Sequence, residues 1–270
     1  VSGFLQQACA EAHERVAEAR GLRPLAELRT APHRPRRSLA QALAAPGCQL
    51  IAELKRASPS QGHLAWIPDP VARAQAYVQG GAAAVSVLTE PAHFRGSLAD
   101  AAMVAEGVSV PVLRKDFVVD AYQVWEARAV GADAVLLIVA ALDDATLAEL
   151  LAETHRADLE ALVEVHDVAE AARARQALTA AAVARPIVGI NARDLTTLTV
   201  DPSRFAACAD AVPQRALTVA ESGVAGPADV ARAASAGADA VLVGEHLVRT
   251  AQPTAEVARL VAVGRHAGAS

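Results

Sequence analysis

Apolar runs of five to seven residues recur along the chain at 49–54, 82–88, 110–115, 133–139, 160–165, 186–190, 216–220 and 239–243. Runs of that length predict eight buried strands, and the Ala- and Leu-rich stretches between them carry helical spacing, as at 69–79, 120–130, 143–155, 167–178 and 227–236. Several of these helices open at Asp, a good N-cap, and end at Gly, a good C-cap. Gly131-Ala132-Asp133-Ala134-Val135-Leu136 nearly repeats as Gly237-Ala238-Asp239-Ala240-Val241-Leu242, and more loosely as Gly81-Ala82-Ala83-Ala84-Val85-Ser86, so each marks a helix end entering a buried strand. A strand–helix period of roughly 23–30 residues across nearly the whole chain excludes a helical solenoid and predicts an α/β fold, a closed (β/α)₈ TIM barrel. A doubly wound open sheet is the alternative, but no GxGxxG turn follows the first strand. Residues 1–47 read as helices punctuated by Pro32, Pro35 and Pro46, too short for a second domain and expected against the barrel's face or side. The barrel proper is expected over about 48–250 and a final helix over 251–270, within one domain.

Composition narrows the function classes. With 270 residues, 53% hydrophobic and 20% charged, the chain suits one large core. A net charge of −5 gives no global field for nucleic acid or anionic lipid. The basic stretch Arg20, Arg23, Arg29, Arg34, Arg36 and Arg37 reads as a solvated surface, with a local anion-attracting rim as the alternative. No apolar run is long enough to span a membrane, and Glu11, His13, Glu14 and Arg15 break any signal-like segment. Cys9, Cys48 and Cys208 lack CxxC or His pairing, which fits packing roles in a reducing cytoplasm and argues against structural zinc. Length alone suggests a free monomer.

Polar groups close five of the predicted strands: Glu53 and Lys55, Lys115, Glu164, Asn191 with Arg193, and Glu221 with Ser222. That pattern is expected of a barrel enzyme, because its chemistry sits at the C-terminal ends of the strands. Glu53 and Lys55, two apart, point the same way, either into the barrel mouth or as a structural ion pair. Apolar pattern does not decide the phase, since both faces of such a strand are buried. Glu164 is either a base or the partner of a neighbouring lysine. Buried charge is costly unless paired or used, so this many ionisable strand ends point to a site. Gly223 and Gly244 follow strands seven and eight, where barrels commonly bind phosphate on backbone N–H groups, and 244–249 is placed to start the short helix of such a site. Ser58, in the loop after Lys55, adds a hydroxyl donor. A phosphorylated small molecule is therefore the expected partner.

Ile51-Ala52-Glu53-Leu54-Lys55-Arg56-Ala57-Ser58-Pro59-Ser60 resembles the first-strand motif of the indole-3-glycerol-phosphate synthase family. Similar stretches run through 86–97, 113–119, 162–166, 189–195, 220–223 and 243–245. Departures are Gln61 where a basic residue is usual, Ala121 where Pro is common, Ala192 between Asn191 and Arg193, and His246 in place of a frequent Ser. The resemblance implies closure of an indole ring from 1-(2-carboxyphenylamino)-1-deoxyribulose 5-phosphate, with loss of carbon dioxide and water and no cofactor. It implies Lys115 as general acid, Lys55 as cation for the substrate carboxylate, and Lys55 with Glu53 in the dehydration. Glu164 would take a proton or stabilise a cationic intermediate, oriented by Asn191 and Arg193, with Glu221 completing the catalytic set. Ser58, Ser222, Gly223, Gly244 and the backbone of Glu245 would hold phosphate. Phe94, Phe117, Leu136 and Leu198 would clamp the aromatic ring, with ordinary core packing the other reading of each.

Other functions remain distinguishable. A phosphoribosylanthranilate isomerase needs a catalytic Cys at the end of strand one, whereas Cys48 lies at its start. A Schiff-base aldolase would need Lys115 or Lys55 with a depressed pKa. A metal-dependent barrel is disfavoured because His63, His93 and His166 sit on loops without ligand spacing. A non-catalytic phosphate-binding barrel would bind product analogues without turnover.

Overall fold

The computed structural model describes residues 3–194 and 199–267. Eight parallel strands close a barrel in sequence order: β1 (Gln49–Leu54), β2 (Ala84–Leu88), β3 (Val112–Lys115), β4 (Ala134–Ile138), β5 (Glu160–Val165), β6 (Ile187–Asn191), β7 (Leu217–Glu221) and β8 (Ala240–Val243). β8 closes the barrel on β1, pairing Ile51 with Leu242. The expected fold is the one found, with strand ends within two residues of those predicted. Helices α1 (Gly3–Leu22), α2 (Leu25–Thr30) and α3 (Leu39–Leu43) precede the barrel. Helices α4 (Pro70–Gln79), α5 (Pro91–Phe94), α6 (Leu98–Gly107), α7 (Ala121–Ala129), α8 (Asp144–Arg156), α9 (Val168–Ala180), α10 (Arg204–Ala209), α11 (Pro227–Ser235), α12 (Glu245–Arg249) and α13 (Pro253–Ala267) follow their strands.

Local chemistry explains where the helices start and stop. The carboxylates of Asp69, Asp120, Asp143 and Asp167 each accept a backbone N–H from the first turn of α4, α7, α8 and α9. At the three Gly-Ala repeats the glycine takes a positive φ, between 81° and 95°, and the following Ala N–H donates to a carbonyl of the preceding helix. In the two full repeats the Asp then turns back. Asp133 accepts the N–H of Val112 at 2.8 Å and Asp239 that of Thr218 at 2.7 Å, so each ties the start of the preceding strand to its own.

Alternation along the strands builds two apolar layers. Ile51, Ala84, Leu113, Leu136, Leu162, Val219 and Leu242 fill the barrel's interior, whereas Leu50, Val87, Val112, Leu137, Val163, Val188 and Val241 face the helices. Leu39 and Leu43 of α3 belong to the interior cluster and plug the N-terminal end of the barrel.

The arginine stretch corrects the expectation of a solvated surface or an anion rim. Arg34 and Arg37 grip Asp133, which is fully buried, through Arg34 Nη2 at 2.7 Å and Arg37 Nη2 at 2.9 Å. Arg36 pairs with Glu160, Arg29 with Glu153, Arg20 with Asp120 and Arg23 with Glu27. Glu160 also receives the N–H groups of Leu39 and Ala40, which explains a carboxylate at the head of an apolar strand: it holds the first turn of α3. Apart from Arg23, whose partner lies in the leading segment itself, these cations fasten that segment to the barrel, on partners about a hundred residues or more away. Among the described residues no helix is long and apolar enough to cross a membrane.

Candidate active site

The strand phase settles inward at every position where it was open. Glu53, Lys115, Glu164 and Glu221 project from β1, β3, β5 and β7 to one centre. The Lys115 ammonium donates a short hydrogen bond to Glu221 and lies 3.6 Å from Glu164 and 3.7 Å from Glu53. Lys55 Nζ sits 2.9 Å from the other oxygen of Glu53. The pair that sequence left open is thus an ion pair and also part of the cavity wall. Asn191 donates to Glu164 at 3.1 Å. Its own carbonyl oxygen accepts the backbone N–H of Arg193, whose guanidinium reaches Ser60, so Arg193 orients Asn191 rather than Glu164.

Three carboxylates around two ammonium groups cannot all remain charged without cost. Burial pushes Glu221 up, and the Glu164 charge adds to it against the pull of Lys115, to about 8. Burial would also raise Glu164, but Lys115, His166 and Asn191 outweigh it and hold that carboxyl at about 2. Glu53 is held below its ordinary value in the same way, by Lys55 and Lys115 against burial. Lys115 loses solvation, yet Glu221, Glu53 and Glu164 more than compensate, and its pKa rises. A raised ammonium is no Schiff-base nucleophile. At neutral pH the centre therefore holds a charged Lys115, an ionised Glu164 and a protonated Glu221.

Around this centre opens a cavity of about 410 Å³ with two kinds of wall. One carries Ser58, Ser222, Gly223, Gly244, Glu245 and His246. Ser222 and Gly223 both take positive φ, 65° and 75°, turning the β7 loop sharply; a non-glycine there marks strain of the kind found at functional sites. Gly244 has a different reason: a Cβ would lie 2.4 Å from Glu53 and 3.1 Å from Lys55 Nζ. The opposite wall is apolar, with Phe94, Phe117 and Leu136 joined by Phe4, Ile138 and Leu242. Phe117 stands 6.0 Å from Phe4, edge to face, and 6.3 Å from Phe94.

Of the residues expected at the site, all that are described line the cavity except Glu221, which lies under Lys115. Leu198 lies outside the described residues. Sequence reasoning passed over three more. Phe4 comes from α1, and no local pattern places that helix over the barrel mouth. Gly189 of β6 leaves room for Glu221, since a Cβ would sit 2.0 Å from its Oε1. His166, expected on a loop, is buried at the end of β5 between Glu164, 3.2 Å away, and Glu170, 3.0 Å away. Its two-residue spacing from Glu164 was the available signal. Glu11, Glu90 and His93 also cluster, but both Glu90 oxygens already accept N–H groups of α5, the mark of a helix cap. Cys48 lies before β1, at the end away from the cavity, with its thiol raised to about 12 by burial.

Fold and site define a single-barrel enzyme with a lysine–carboxylate centre at the open ends of its strands. The model of the indole-3-glycerol phosphate synthase family matches residues 5–260, and the chain belongs to that family. Curated proteins of that name are similar to it: one from Kineococcus radiotolerans is 51% identical over 97% of this chain and 96% of its own. Another, from Mycobacterium leprae, is 54% identical over 83% and 80%, and one from Beutenbergia cavernae 56% identical over 80% and 78%. Solved structures share the fold alone. A thiamine phosphate pyrophosphorylase from Pyrococcus furiosus has a TM-score of 0.61 at 16% identity, covering 85% of this chain and 99% of that one. A 3-hexulose-6-phosphate synthase from Salmonella typhimurium has 0.60 at 18%, covering 80% and 97%.

Proposed function

We infer that this chain closes the indole ring of 1-(2-carboxyphenylamino)-1-deoxyribulose 5-phosphate, giving indole-3-glycerol phosphate, carbon dioxide and water. The observation that carries the chemistry is Lys115, ringed by the carboxyl groups of Glu53, Glu164 and Glu221 at the floor of a cavity with one apolar and one polar wall. The aromatic ring would lie between Phe94 and Phe117, and the phosphate on the N–H groups around Gly223 and Glu245. Lys55 is placed to meet the substrate carboxylate.

The ring carbon bearing the carboxylate attacks the ketone carbon, and the ketone's electron pair moves to its oxygen. Lys115 protonates that oxygen as it becomes an alkoxide, a far stronger base than the carboxylates around the ammonium. The carbon–carboxylate bond then breaks, carbon dioxide leaves, and its electron pair restores the aromatic ring. Loss of the new hydroxyl as water needs an acid, and loss of the adjacent carbon's proton needs a base. Lys55 with Glu53 supplies such a pair, and ionised Glu164 faces the cationic intermediate.

Purified chain stripped with EDTA and given no nucleotide, flavin or pyridoxal phosphate is expected to make a fluorescent indole from this substrate. No indole at micromolar enzyme over hours would reject the reading. Isomerisation of phosphoribosylanthranilate should not occur, since no thiol stands at the open end of β1.

A further inference from the structure

We propose that His166 is a positioning residue of the active centre: as a buried imidazolium bridging Glu164 to Glu170, it decides which of the two carboxylates sharing Lys115 keeps its charge. The inference rests on the reaction assigned above and concerns a residue that touches neither the cavity nor Lys115.

The geometry is a line of three groups. Glu170, in the first turn of α9, accepts both the backbone N–H of His166 at 2.8 Å and its Nδ1 at 3.0 Å. That double contact fixes the ring's orientation. On the far side Nε2 lies 3.2 Å from Glu164 Oε1, at an angle that makes an ion pair but no aligned hydrogen bond, and it has no other partner. Asn191 donates to that same oxygen, while Lys115 faces the other.

Charge counting gives the ring its role. Glu53, Glu164, Glu170 and Glu221 face Lys55, Lys115 and the imidazolium of His166, four carboxylates to three cations, so a proton held on one carboxylate relieves the excess. Glu53 has Lys55 to itself. Lys115 lies closer to Glu221 than to Glu164, but His166 and Asn191 both back Glu164 alone, whereas Glu221 Oε1 has no hydrogen-bond partner. The proton therefore settles on Glu221.

Neighbouring elements leave this arrangement intact. Asp167 is spent on the N-cap of α9, and the one buried carboxylate of α8, Glu153, pairs with Arg29 and Arg156. From α10 come the Cys208 thiol, raised by burial, and Arg204, paired with Asp194. Nothing else charged competes for the imidazole among the described residues. Two carboxylates keep the ring protonated far above its ordinary range.

The test compares wild type with His166→Leu, His166→Gln and Glu170→Gln, following indole fluorescence from pH 5 to 9. Loss of the cation should let the shared proton pass from Glu221 to Glu164, bringing an acid limb with a midpoint of about pH 7 into the measured range, where wild type has none from this group. KM should stay within about threefold, because the cavity walls are untouched, and kcat at pH 6 should fall about tenfold or more. His166→Gln, which keeps a donor but no charge, should recover kcat towards alkaline pH, and Glu170→Gln should show a smaller shift in the same direction. A uniform loss at every pH, or a change in KM alone, would show a merely structural residue. A readout independent of turnover is carbon-13 histidine NMR on the wild type. A ring still doubly protonated at pH 8 supports the proposal, and one neutral at pH 7 overturns it. If wild type makes no indole, the reaction assigned above fails, and the NMR result still decides the state of His166.

Discussion

Lys115→Met removes the shared cation but leaves Glu53 with Lys55 and Glu164 with His166, so only Glu221 loses its partner. A protonated Glu221 tolerates that loss, and the barrel should persist. Turnover should fall roughly 10²–10⁴-fold while a substrate analogue still binds, measured by fluorescence and calorimetry. A variant keeping more than about a tenth of wild-type kcat would take Lys115 out of the mechanism. The two glycines at the polar wall should behave differently. Gly223→Val meets a positive φ and Val200, disturbing the phosphate loop, so KM should rise by about tenfold or more with kcat less affected. Gly244→Val drives a side chain into Glu53 and Lys55, so kcat should fall as well. Equal effects on KM and kcat in both variants would contradict this split.

At the scale of elements, the strands were legible because each apolar run is short and several are bounded by a Gly-Ala turn or an Asp cap, chemistry that acts within five residues. The ionisable strand ends were legible too, since charge in an apolar run stands out. Strand phase was not, because inward and outward residues are equally apolar, as Leu50 beside Ile51 shows. Nor was the arginine segment: Arg34 and Asp133 are 99 residues apart, and no local pattern separates a solvated guanidinium from one aimed at a distant carboxylate. The same contact makes a prediction. Asp133 accepts from the Arg34 and Arg37 guanidinium groups and from the backbone N–H groups of Arg37 and Val112, so Asp133→Leu leaves two guanidinium groups without their carboxylate and two backbone N–H groups unmatched. Destabilisation of about 3–5 kcal/mol is expected, read from chemical denaturation. Arg34→Ala should cost less, because Arg37 remains. A neutral result for Asp133→Leu would make the clamp dispensable.

For the whole molecule, these pairs set the pH range of stability. The carboxyls of Asp133, Glu53 and Glu164 sit below their unfolded values, so their contribution is present above about pH 4 and lost as pH falls further. His166, raised to about 10, acts in the opposite sense. Its contribution is complete below the unfolded value near 6.5 and declines as pH rises towards 10. Melting temperature should therefore drop on both flanks, and His166→Gln should flatten the alkaline flank while also weakening the acid one, because Glu164 loses part of what holds its carboxyl down. A further consequence concerns time. The leading segment lays α1 across the barrel's mouth, with Arg15 on Asp116, and sets α3 into its base, with Glu160 on Leu39. Its anchors at Asp116, Asp133, Glu153 and Glu160 lie 96 to 124 residues further along. At a synthesis rate of about 5–20 residues per second, the segment waits roughly 5–25 s on the ribosome before Asp133 and Glu160 exist to receive it. Its exposed leucines are then a natural place for a chaperone to hold, and the earliest part of the chain to be made is among the last to be seated.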